Sequence, residues 1–477
     1  MSAVPATSIG LRGDRGPILL AVMLSIGLAA IDSTILATAL PSIVRDLGGL
    51  AEAAWLFSGY LLAQAITVPI YGKLSDLFGR KPIMLFGISV FLVASLLCGL
   101  AWSPLSLVAF RVLQGLGAGA IQPIGMTIIG DIYSLQERAR VQGYVASVWA
   151  IAALVGPTLG GVFSDFLTWR WIFFVNLPIG IAAIWMLLAR YKESNVAPRK
   201  HRIDVAGSVT LALGSGLLLA ALLEGGSAWG WSSPLTIGAL VGSGLAFVAF
   251  VLVEQRAAEP VLPLWVFRHR VLLPSMLVAL VVGMVMMAVT VYLPMFVQNV
   301  LGLSALMGGL PLAAMTLGWP LGASQVGRFY LRFGFRPTMT VGAVVSLFGV
   351  LSLLTFDSGT PLWHLAISCL VIGLGFGFCA PAGLVAAQSA VAWSTRGVAT
   401  ATNQFFRAMG SATGTAVYGA VFGAVALTAI GDVTEATELE PGVLMPALHG
   451  VFIAAVIGAV LLVVAALLMP TRVEPVD

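Results

Sequence analysis

The 477 residues are 59% hydrophobic and only 9% charged, with a mean hydropathy of +1.02, which lies outside the range of soluble globular domains. A hydrocarbon core about 30 Å thick takes about 20 apolar residues per helix, so the chain has room for a dozen or more spans and none for a sizeable extramembrane domain. The formal charge of +4 would suit an anionic partner such as nucleic acid, but the placement of the basic residues argues otherwise.

Apolar runs bounded by charged or Gly/Pro-rich breaks predict helices near 17–42, 52–72, 83–102, 104–130, 139–164, 171–189, 205–223 and 234–255. Six more follow near 271–297, 304–327, 337–356, 362–388, 397–427 and 448–469, giving fourteen. The runs are continuous instead of alternating, which favours helices over a barrel. The first run follows Arg12 and Arg15 and is too long for a signal-peptide core, so it is expected to be retained. Cys98, Cys369 and Cys379 fall inside apolar runs, where a thiol serves as a small packing residue and no disulfide is expected.

With the N-terminus inside, the inside segments collect 20 of the 24 Lys and Arg residues, Lys73, Arg138, Arg190, Arg199, Lys200, Arg202, Arg268 and Arg336 among them, while only Arg45 and Arg170 fall outside. A miscounted span would scramble the later half of this asymmetry. The basic excess thus lies beside inner-leaflet headgroups, and nucleic-acid binding is not needed to explain it. The expected setting is a bacterial cytoplasmic membrane, crossed many times with both termini inside.

An internal repeat organises the chain. The segment from Gly72 to Pro82 (GKLSDLFGRKP) aligns without gaps with Gly327 to Pro337 (GRFYLRFGFRP), each following the second helix of a six-helix half. The predicted units are a bundle at 1–190, an inserted hairpin with its linkers at 191–262 and a bundle at 263–477. Two parallel halves imply alternating access to a substrate site near the bilayer midplane between them.

Several motifs add detail. The first repeat reads Gly72-x-Leu74-Ser75-Asp76-x-x-Gly79-Arg80-Lys81, span 4 carries Arg111-x-x-Gln114-Gly115-x-Gly117-Ala118-Gly119, and span 5 carries Gly156-Pro157-Thr158-Leu159-Gly160-Gly161. Asp32-Ser33-Thr34 in span 1 and Trp169-Arg170-Trp171 through Asn176-Leu177-Pro178 at span 6 complete the set. These segments and the six-plus-two-plus-six layout resemble the major facilitator superfamily, and within it the fourteen-span drug:proton antiporter branch. The first motif departs from the family pattern at Leu77, where many members carry Arg, and the third at Ala152, where a Gly is frequent. The resemblance implies an all-α major facilitator fold and a secondary active transporter instead of an enzyme. It implies that Asp76 docks on the start of span 13 near Gly397 as part of a conformational switch with Gly72, Gly79, Arg80 and Lys81. It also implies that Arg111 takes part in proton coupling and that Gly156, Pro157, Gly160 and Gly161 mark an antiporter.

Asp32, Arg111 and Arg407 are the charged residues well inside predicted spans, and an intramembrane charge is a functional candidate because it is costly. Asp32 lies about 22 Å from the inner end of span 1 and Arg111 about 10 Å from the outer end of span 4, which puts them at similar depth. They are expected to face each other on the N-terminal side of the cavity, either as a neutralising pair or as a proton switch in which burial raises the carboxylate pKa and Arg111 lowers it. Arg407 has no acidic partner in spans 9–14, and a hydrogen-bonding structural role is expected, with cavity lining or attraction of an anionic group as alternatives.

Gln64, Gln114, Trp149, Met287, Tyr292, Asn403 and Arg407 are the candidate cavity residues. Flexible thioethers and rings suit a promiscuous lipophilic pocket, although for any single Met lipid-facing packing is the favoured reading. The expected activity is proton-coupled export of lipophilic, cationic drugs; a dedicated antibiotic, siderophore or lipid-like substrate is the alternative. Exchanging one proton for one monovalent cation moves no net charge, so the pH gradient alone, about 1.4 kcal/mol per unit, would drive it. A polytopic enzyme is disfavoured because His201, His269, His364 and His449 are isolated at loops or span ends. No metal or cofactor is expected apart from protons as coupling ion, and the expected partners are substrate, protons and lipid around a monomer.

Overall fold

The computed structural model describes residues 10–11, 13–48, 55–193, 204–225, 229–430 and 441–473; Arg12, Arg199, Lys200, His201 and Arg202 lie outside them. Among the described residues fifteen α-helices are found: α1 (Gly16–Leu47), α2 (Trp55–Phe78), α3 (Arg80–Gly99), α4 (Pro104–Ile132), α5 (Leu135–Phe166), α6 (Trp171–Phe174), α7 (Asn176–Arg190), α8 (Val205–Glu224), α9 (Pro234–Glu254), α10 (Leu272–Asn299), α11 (Ala305–Phe333), α12 (Phe335–Ser352), α13 (Leu362–Ser389), α14 (Arg396–Ile430) and α15 (Pro441–Leu467).

Local sequence accounts for many boundaries. Ser103 and Ser134 close capping boxes with Ser106 and Glu137 at the starts of α4 and α5, satisfying donors that a helix start leaves orphaned. The single predicted span 171–189 is interrupted after Phe174, because Pro178 has no N–H to offer the carbonyl four residues back. The repeated segment differs more from expectation. It is not a loop: Gly72 to Phe78 are the last two turns of α2, and the chain reverses at Gly79 alone, with φ 98°. The second copy does the same at Gly334, with φ 89°. A backbone angle of that kind is essentially reserved for glycine.

Among the described residues eleven segments are long and apolar enough to cross a membrane, with α6 and α7 forming one such segment together, so the chain is a multi-pass membrane protein. Helices α2, α11 and α14 are long, at 24, 29 and 35 residues, but fall outside that set. Their position explains the difference. Helices α1 to α7 pack on one another, α10 to α15 pack on one another, and the two main seams between the groups are α2 against α14 and α5 against α11, with a smaller contact of α4 on α14. Three of the four seam helices are thus those that are richer in polar and small residues than lipid contact favours. The α8–α9 hairpin lies along the α2 and α14 seam. Ser58 of α2 donates to Glu224 of α8 at 3.3 Å, and Lys73 lies 3.7 Å from Glu259 beyond α9. Cys98, Cys369 and Cys379 are free and buried.

Candidate functional site

Asp32 of α1 sits in a closed polar cluster. Arg111 Nη1 donates to Asp32 Oδ2 at 2.5 Å and to Gln114 Oε1 at 2.6 Å. Gln114 Nε2 donates to Asp32 Oδ1 at 2.8 Å and Asn176 Nδ2 does so at 3.0 Å, and both amides also reach Ser95 Oγ. Arg111 stacks 4.2 Å above the Tyr60 ring and its Nε donates to Leu56 O. Asp32 and Arg111 are each 1% exposed, so the pair does not face the cavity as expected; it lies within the helix bundle. Three donors converge on one carboxylate in a place where an unpaired charge would be prohibitive.

The same helix is pressed against α5. A methyl on Gly156 would lie 2.0 Å from Thr34 Oγ1, and one on Gly160 2.1 Å from Thr38 Oγ1 and 2.7 Å from Ile35 O. Thr34 Oγ1 donates across this contact to Ala152 O at 3.0 Å. Gly161 points into open space, and the side chain of Pro157 lies outside the described residues.

Hydrogen bonds joining the two halves gather at the end where α2, α4 and α13 finish and α14 begins. Asp76 accepts from the backbone N–H groups of Gly397 and Val398 at 2.9 and 2.8 Å, at the positive start of α14. Arg80, with no exposed surface, pairs with Asp76 at 2.8 Å and Asp131 at 3.0 Å. It also donates to Trp393 O at 2.6 Å with its guanidinium over that ring. Asp131 binds Arg396 at 3.0 Å in turn, and Arg138 reaches Ser389. Gly72 lets the helices close up, since a methyl there would lie 2.2 Å from Ala401 Cβ. Lys81 takes no part in this latch; its Nζ donates to Leu188 O and Tyr191 O within its own half. At the opposite end Trp169 and Arg170 hydrogen-bond Asp46 at 2.9 and 2.8 Å and hold its carboxyl below the usual range.

Between the halves lies a cavity of about 280 Å³, near the lower end of the usual range for small-molecule sites. Trp149 on α5 and Asn403 and Arg407 on α14 line it; Gln64, Gln114, Met287 and Tyr292 do not. Gln114 is consumed by the Asp32 cluster, and Tyr292 packs on Phe422 in the core with ring centroids 5.7 Å apart. Met286, one residue from Met287, takes its place, joined by Trp319, Gln122 and Gln142.

The major facilitator superfamily model matches residues 22–196 and 194–415. The chain belongs to the major facilitator superfamily. It is 35% identical to multidrug resistance protein 3 of Bacillus subtilis (strain 168) over 85% of this chain and 79% of that one. It is 34% identical to the multidrug transporter protein MdtP of the same organism over 87% and 76% respectively. Among solved structures, the human organic anion transporter MFSD10 (TETRAN) shares the fold, with a TM-score of 0.66 and 15% identity over 95% of this chain and 99% of that one. Within this superfamily chain, Ser95 in the Asp32 cluster and Asp131, Arg138 and Trp393 in the latch carry no mark in the sequence that separates them from ordinary span and loop residues. Asn176 had one signal, its place in the same span 6 segment as Trp169 and Arg170.

Proposed function

We propose that this chain exports lipophilic drugs or other toxic small molecules across the cytoplasmic membrane by alternating access, in exchange for protons. Reading α6 and α7 as one crossing and adding α2, α11 and α14 to the apolar spans gives fourteen crossings, arranged as two six-helix bundles and an inserted hairpin. The observation that carries the reading is a cavity lined by both halves and sealed at one end by the Asp76, Arg80, Asp131 and Arg396 latch. The positive-inside expectation makes that end cytoplasmic, so the described state is closed to the cell interior. The multidrug names of the Bacillus relatives support the substrate class.

In this reading Asp32 is the proton carrier. Protonation removes the charge on which Arg111, Gln114 and Asn176 converge, loosening the position of α1. Thr34 and Thr38 pass the movement to α5 through Gly156 and Gly160, and α5 bears on α11 of the other half. Proton binding and rocking of the halves are thereby joined, although Asp32 lies away from the cavity. In proteoliposomes, a pH gradient is expected to drive efflux of a fluorescent lipophilic drug, and Asp32→Asn to abolish the gradient dependence. Wild-type efflux indifferent to the gradient would overturn proton exchange. A D32N variant running at the wild-type gradient-driven rate would overturn the proton site alone.

A further inference from the structure

Among the described residues that line the cavity, Arg407 is the one charged side chain, and no carboxylate accompanies it. It stands 11 residues into α14, about 16 Å along the axis from Arg396. Its Nε donates to Gln404 Oε1 at 3.1 Å, and among the described residues no carboxylate lies within ion-pair distance of it. Asn403, its neighbour on the same helix, is spent on Ser275. The buried acidic residues among those described are committed elsewhere, Asp32 to Arg111, Asp76 and Asp131 to the latch, Glu224 to Ser58 and Glu254 to the Leu262 N–H. A cation entering this cavity would meet a like charge and no counter-charge. An anion would meet a guanidinium in the cavity lining, a planar group whose fork of N–H donors suits a carboxylate, sulfonate or phosphate oxygen, in surroundings of low dielectric that strengthen the attraction. Trp149, Trp319, Met286 and Met315 supply apolar and aromatic surface around it.

We propose that the preferred ligand is an amphipathic organic anion, its acidic group on Arg407 and its apolar or aromatic body against Trp149 and Trp319. This replaces the expectation of a cationic drug and rests on reading the cavity as the transport site. It also changes the energetics: an anion leaving as a proton enters moves two charges in the sense that an inside-negative potential favours, whereas cation-for-proton exchange is electrically silent.

Three dansyl probes share a fluorophore and differ in charge: dansylglycine is anionic, dansylamide neutral and dansylcadaverine cationic. With the purified full chain, dansylglycine is expected to bind about tenfold more tightly than dansylcadaverine, as a charge-assisted bond implies. Arg407→Gln should narrow the ratio of dansylglycine to dansylamide affinity by a similar factor, and Arg407→Lys, which keeps the charge, should restore most of it. In proteoliposomes a potassium diffusion potential, negative inside, should accelerate dansylglycine efflux. Equal or tighter binding of dansylcadaverine, or an anion preference surviving R407Q, overturns the assignment. The two readings fail separately. Gradient-driven efflux of dansylcadaverine with dansylglycine neither bound nor moved leaves the transporter standing and removes the anion. Arg407-dependent binding of dansylglycine without any gradient-driven efflux keeps the anion site and removes proton-coupled export.

Discussion

At the scale of single residues, the cluster around Asp32 is distinguished by how completely it is paired. A buried ion pair is weak ground for net stability, but breaking one is expensive because the remaining charge has no water to turn to. Arg111→Ala is therefore expected to lower stability by about 3–5 kcal/mol, seen as a large drop in the thermal midpoint in detergent. Asp32→Asn strands the Arg111 cation by the same logic and is expected to lower the thermal midpoint as well, while the protein that remains folded binds substrate and fails in pH-driven efflux. Charged residues in an apolar run announce themselves, which is why Asp32, Arg111 and Arg407 were legible. Of their neutral partners, Asn176 was marked only by its place in the span 6 segment, and Ser95 is an ordinary polar residue in a helix until folding brings α1, α3, α4 and α7 together.

Among elements, the α1–α5 contact carries the sharpest contrast, because three motif glycines divide by what lies opposite. Gly160→Ala drives a methyl into Thr38 and the Ile35 carbonyl and is expected to cost about 1–3 kcal/mol through overpacking, with efflux falling in step. Gly161→Ala meets nothing within 4 Å and should stay within about 0.5 kcal/mol of the parent. A thermal-shift comparison of the two variants tests this directly. The turn between α2 and α3 offers a second case: Gly79→Ala forces a side chain onto φ 98°, a strain of about 1–3 kcal/mol. The glycine-rich motif was plain in the sequence. That Gly161 is a bystander was not, because helical spacing alone does not fix which face meets α1.

For the whole molecule, the proposed alternating access assigns the latch the balance between two access states. Asp131 bridges Arg80 of one half and Arg396 of the other, so Asp131→Asn is expected to weaken closure without disturbing either bundle. A cysteine placed at Ser389, buried beside Arg138 in the closed state, should then react severalfold faster with a membrane-impermeant maleimide added from the cytoplasmic side. An unchanged labelling rate would mean that the latch does not hold the gate. The native Cys98, Cys369 and Cys379 are buried and should contribute little background.

The amino-acid sequence by itself determined the class of this protein. Long apolar runs have no stable home except as membrane helices, and the repeated segment marks two helix ends that each turn at a glycine. Local chemistry of that kind is encoded within about 20 neighbouring residues. Tertiary structure decided what lies on which surface. It moved Asp32 from the expected cavity into the bundle, turned a presumed loop into two helix ends meeting at Gly79, and exchanged Gln114, Met287 and Tyr292 for Met286, Trp319 and Gln142 around the cavity. It also left Arg407 there without a carboxylate. Each of these depends on the rotation and approach of helices far apart in the chain, set by close glycine packing and by which polar groups find partners, and no periodicity within a single span records them.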